Sequence, residues 1–74
     1  MWIRSQDKMD LINVKCLKIC GKNQNIIYAE GMDMFTDLGK YESKERCIEI
    51  LDDMQEYMND HHHIQRLIYK MPKE

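Results

Sequence analysis

One stretch of this chain repeats its apolar side chains at helical spacing. Cys47, Ile50, Leu51, Met54, Tyr57 and Met58 recur three and four residues apart, with Glu49, Asp52, Asp53, Glu56 and Asp60 filling the rest. Such a stripe buries on one side and leaves the other to water. Ser43 stands where a hydroxyl can accept from the free amides of a first turn, and Glu45 stands where the helix dipole favours an acid. The spacing predicts a helix from Ser43 to Asp60, and the remainder must be built around it. A chain of 74 residues hides only about 60–65% of the surface its unfolded form exposes. One domain over residues 1–74 is therefore expected, with self-association as the natural support for so small a core.

Outside the helix the pattern is alternation. In the first segment Trp2, Arg4 and Gln6 share one face of a strand, and Ile3 and Ser5 share the other. From Leu11 to Cys20, Ile12, Val14 and Cys16 alternate with Asn13 and Lys15, after which the phase slips to Leu17 and Ile19. A β-bulge near Cys16-Leu17 would put both sets on one face. Gly21 to Asn25 reads as a hairpin turn, Ile26 to Glu30 as the return strand, and Met32 to Leu38 as a loop or a ragged edge strand. Arg66 to Met71 reads as a closing strand that Pro72 stops. The order β-β-β-(β)-α-β implies an α+β fold: a small antiparallel sheet of about four to five strands with one amphipathic helix packed on it. Trp2 and Ile3 are expected to close the core, and Met54, Met58 and Met71 to fill it. Met32 and Met34 suit loop packing and partner contact equally.

Charge narrows the function. Eleven Lys and Arg face thirteen Asp and Glu, a net charge of −2, so the basic excess of a general nucleic-acid binder is missing. The acids concentrate: residues 42–60 hold seven against two bases. Apolar runs are only a few residues long, which argues against a membrane-spanning helix. The start Met1-Trp2 leaves no room for a targeting leader, and the cysteines, Cys16, Cys20 and Cys47, are odd in number. Both point to a reducing cytoplasm rather than a disulfide framework.

Few residues suggest chemistry. His61, His62 and His63 are consecutive, and consecutive side chains cannot converge on one ion as zinc ligands do. They read as a solvated helix end. Cys47 lies on the apolar stripe as a small hydrophobe, and Cys20 is the more accessible thiol but has no evident base beside it. The helix acids form an evenly spread solvated face, whereas catalytic carboxylates need a cleft that splits their pKa values. The glycines stand alone at 21, 31 and 39, so no phosphate loop exists. An enzyme, a metal site and a cofactor are not expected. One constellation stays open: Trp2, Arg4, Tyr28 and Arg66, with Tyr69 near the end of the chain. Flat rings and planar cations bind bases and phosphates by stacking and paired hydrogen bonds. Packing of the rings, and pairing of the arginines with the acidic helix, is the competing use.

Three blocks carry a resemblance: Met1-Trp2-Ile3-Arg4-Ser5-Gln6-Asp7-Lys8, then Leu38-Gly39-Lys40-Tyr41 leading into Ser43-Lys44-Glu45-Arg46, then Tyr69-Lys70-Met71-Pro72. Through them the chain resembles a group of small proteins of Firmicute bacteria and their phages and prophages. The Met32-to-Thr36 stretch and the histidine triplet depart from that group. The resemblance brings no activity; it implies a phage accessory role carried out by binding. One form is the trapping of a nucleotide-derived signal of host defence by a homo-oligomer through Trp2, Arg4, Tyr28 and Arg66. The other is the covering of a host protein by the acidic helix.

Overall fold

The computed structural model describes residues 1–61 and 68–74. Among these lie six strands and one helix: β1 (Trp2–Arg4), β2 (Leu11–Asn13), β3 (Cys16–Cys20), β4 (Ile26–Glu30), β5 (Phe35–Lys40), α1 (Lys44–Asp60) and β6 (Ile68–Lys70). The fold is α+β, as expected, but the sheet is not single. The strands form two three-stranded sheets, ordered β2-β1-β6 and β3-β4-β5. All pairings are antiparallel except β1 with β6, which run parallel. The helix supplies the crossover that a parallel neighbour requires.

The phase slip between Leu11 and Cys20 is a change of sheet and not a bulge. Ile12 turns into the core from β2, and Leu17 and Ile19 turn inward from β3. Between them Val14 N donates to Met1 O and Lys15 N donates to Glu30 O, both at 2.8 Å. Successive residues thus stitch the chain first to one sheet and then to the other. Cys16, on the outward side of the break, is exposed, and Cys20 is the less accessible of the two. The bulge of this fold lies between β4 and β5, where Leu38 is the extra residue between the pairs Tyr28–Asp37 and Ile27–Gly39. It leaves both Leu38 and Gly39 facing inward.

A second corner joins the sheets through Gln6. Its amide N–H donates to Leu38 O at 2.7 Å. Its side chain continues the ladder: Lys40 N donates to Oε1 at 2.9 Å, and Nε2 donates to Lys40 O at 3.1 Å. One side-chain amide serves as the next peptide along the β5 edge, which blunts an edge that would otherwise invite pairing.

The core draws Ile3, Ile12, Tyr69 and Met71 from the first sheet and its flank, Ile27, Ala29 and Leu38 from the second, and Cys47, Ile50 and Met54 from the helix. Burial pushes the Cys47 thiol up from its ordinary pKa. Ser43 caps α1 by accepting from Arg46 N at 3.1 Å. The expected stripe is buried along its first three turns, whereas Met58 faces solvent. Ile3 closes the core as expected. Trp2 does not: alternation sends it outward from the central strand of its sheet, where it is 43% exposed.

Two buried tyrosines lock the helix and the strap after β6 in place. Tyr69 Oη donates to Asp53 Oδ2 at 2.7 Å, and its ring meets Tyr57 edge-on at 5.3 Å. Tyr41 Oη donates to Pro72 O at 2.7 Å. Burial pushes the Tyr41 phenol up to about 12, and burial with the Asp53 carboxylate raises Tyr69 as well. Both are raised above the unfolded value near 10. Their contribution to stability is therefore complete below pH of about 10 and is lost as pH climbs through the folded values. Ultraviolet titration is expected to show Tyr41 and Tyr69 ionising only as the far-ultraviolet signal collapses. Ionisation of all the tyrosines near pH 10 in an intact fold would contradict this burial.

Candidate functional site

The outward face of the first sheet is a small grid set by register. One row reads Asn13–Trp2–Ile68 and the next Leu11–Arg4–Lys70. Trp2, Leu11 and Ile68 each keep more than two-fifths of their surface exposed. Apolar area and two cations therefore share one face.

The turn after β1 adds a third cation. Ser5 Oγ donates to Asp7 Oδ1 at 2.6 Å, and Met9 N donates to the same oxygen at 2.9 Å. Asp10 N donates to Ser5 Oγ at 3.0 Å. These bonds hold the Asp7 carboxyl below its usual range, the Ser5 hydroxyl first and the Met9 amide next. Lys8 takes a left-handed backbone, φ 67°, and its carbonyl accepts from Arg4 Nε at 2.9 Å. The turn is thus built, and it holds the Arg4 guanidinium by one edge. Both terminal guanidinium nitrogens lack a partner among the described residues and keep the fork that matches a phosphate or carboxylate.

Arg4, Ser5, Lys8, Lys70 and Met71 line a cleft of about 270 Å³. Three cations and no carboxylate border it. Two further clefts among the described residues are mixed in charge. One of about 210 Å³ holds Asp7 and Asp37 with Lys40. Another, of about 430 Å³, holds Glu42 and Glu74 with Lys40, Arg46 and Lys73. Arg46 there already donates from Nε and Nη2 to Glu74 O at 3.0 and 2.7 Å. Of these three clefts among the described residues, the Arg4 cleft alone offers an anion uncompensated positive charge.

Of the residues singled out in the sequence, Trp2 and Arg4 come together on β1. Tyr28 lies on the other sheet, with the Lys18 ammonium 5.3 Å from its ring centre and Phe35 at 6.2 Å. Arg66 lies outside the described residues, as do His62 and His63. His61 is the C-cap of α1, its Nδ1 donating to Tyr57 O at 2.9 Å. Among the described residues no group of His, Cys, Asp and Glu is placed to hold a metal. No described helix is long and apolar enough to cross a membrane. Sequence reading missed Lys8 and Lys70. Lys8 carried a signal, four residues beyond Arg4 in a turn rich in Ser and Asp, whereas Lys70 needs the parallel register, which no alternation reveals. Compared with family models, curated proteins and solved structures, the chain matches none.

Proposed function

We propose that this chain is a small non-catalytic binding protein that takes a phosphate-bearing, nucleotide-derived ligand on the outward face of β1 and β6. The carboxylate-free cleft of Arg4, Lys8 and Lys70 carries the reading. Arg4 supplies a bidentate fork, the lysines supply screening charge, and the exposed Trp2 ring, about 7 Å along the strand, supplies a stacking plate. Such a protein acts by sequestration, and it acts in the cytoplasm as a homo-oligomer. The resemblance to phage and prophage proteins supports a role in withholding a nucleotide-derived signal from host defence.

Trp2 is the sole tryptophan, so its fluorescence reports the site directly. Titration with ADP-ribose or a cyclic dinucleotide at low salt is expected to quench it saturably. Arg4→Ala should weaken binding about 10- to 100-fold, the worth of one charge-assisted pair. Lys70→Ala should weaken it less and flatten the salt dependence. A flat titration with every phosphate-bearing probe would remove this reading.

A second reading is favoured by the charge on α1. Glu45, Glu49, Asp52, Glu56 and Asp60 are exposed, and the only ion pair among the described residues is Arg46–Glu49 at 3.8 Å. A host protein with a basic groove would meet this face. Asp53 is occupied by Tyr69 and does not belong to it. Charge reversal at Glu49, Asp52 and Glu56 would abolish such capture and leave Trp2 fluorescence unchanged.

A further inference from the structure

The outward face of the second sheet is a grid of three rows. Register places Cys16, Glu30 and Phe35 in one row, Lys18, Tyr28 and Asp37 in the next, and Cys20, Ile26 and Lys40 in the third. Its centre is aromatic: Tyr28 and Phe35 lie 6.2 Å apart, and Phe35 is 69% exposed. Met34 stands exposed at its rim. Lys18 and Asp37 flank Tyr28 on opposite strands, two strand spacings apart, or roughly 10 Å. They make no ion pair with each other, because the ring stands between them.

We infer that this face packs against the same face of a second copy, about a two-fold axis running along β4. Rotation about that axis exchanges the two flanking strands. It sets Lys18 of each chain over Asp37 of its partner, Tyr28 over Tyr28, and Cys16 over Phe35. The face is self-complementary in charge about an apolar centre, which is what an isologous interface requires. An axis across the strands would instead stack Lys18 on Lys18. Aligned packing of two sheets about 10 Å apart has room for these side chains. Glu30 meets its own copy only at the end of the strand, where solvent screens the pair. Tyr28 becomes the hub of the dimer, which accounts for a ring that lies away from the anion cleft.

This deepens the oligomeric part of the proposed function, and the two fail separately. The cleft lies on the other sheet, so the dimer is measured without ligand and the Trp2 titration does not depend on Lys18 or Asp37. Sedimentation equilibrium is expected to show a dimer for the wild-type chain. Lys18→Glu and Asp37→Lys should each weaken it about tenfold or more, since symmetry doubles every changed contact. The combined Lys18→Glu/Asp37→Lys variant should restore it. Circular dichroism should be native throughout, because both side chains are exposed. Phe35→Asp should give a folded monomer. A monomeric wild-type chain, single variants that stay dimeric, or a charge swap that fails to restore the dimer would each overturn this interface.

Discussion

Ile3→Ala is expected to remove about 3 kcal/mol of stability, within the range of about 2–5 kcal/mol for truncating a buried isoleucine. Ile3 is fully buried and stands between Ile12 and Tyr69 in the central strand of its sheet. Its loss opens a cavity where β1, β2 and β6 meet. A domain of this size holds in total roughly 4–11 kcal/mol, so one methyl-lined gap spends a large part of the margin. The melting temperature should fall by about 4–8 °C per kcal/mol. Chemical denaturation with an unchanged m-value and a lowered midpoint would show that the native state itself is weakened. A variant as stable as the wild type would mean that the two sheets do not share this core. The same change should weaken ligand binding only in proportion to the unfolded fraction, because Ile3 faces away from Trp2 and Arg4.

Gly39→Ala is the second large effect, and its cause is steric. A β-carbon at position 39 would sit 2.6 Å from Tyr41 Cε2 and 2.7 Å from Tyr41 Oη. The ring has nowhere to go. Tyr41 is 5% exposed. Its N–H donates to Asn25 O at 2.8 Å, its carbonyl accepts from Asn25 Nδ2 at 2.9 Å, and its hydroxyl holds Pro72. Overpacking of this kind costs about 1–3 kcal/mol, and a displaced ring would also give up its hydrogen bond to Pro72 O. In a Tyr41→Ala background the alanine at 39 should cost much less, so a double-mutant cycle isolates the clash. Equal costs in both backgrounds would contradict it. This contact gives a physical reason for glycine at position 39: it is the floor on which the Tyr41 ring lies.

Much of this was legible in the residues. The helix declared itself through a three- and four-residue repeat and a serine cap, because one element's period needs no partner to be read. The two faces of β1 were equally readable from alternation. What alternation cannot supply is the neighbour. The parallel pairing of β1 with β6, and with it the place of Lys70 beside Arg4, depends on a crossover that closes only in three dimensions. The slip at Cys16-Leu17 was a true signal with a different cause: a strand that changes sheet and a strand that bulges leave the same mark on the sequence. Trp2 shows the reverse error. A large aromatic suggested burial, yet its phase opposite Ile3 had already assigned it to solvent. The candidate site was legible in half, Trp2 and Arg4, and the cations that complete its charge came from a turn and a register.

In the proposed function an anionic ligand sits on the grid around Arg4. Amide spectra of uniformly nitrogen-labelled protein, recorded as ADP-ribose is added, test it most directly. Saturable shifts are expected, concentrated in Trp2 to Lys8 and in Ile68 to Met71, lost in Arg4→Ala, with α1 unmoved. Shifts confined to the exposed acids of α1, or none at all for any phosphate-bearing probe, would contradict it.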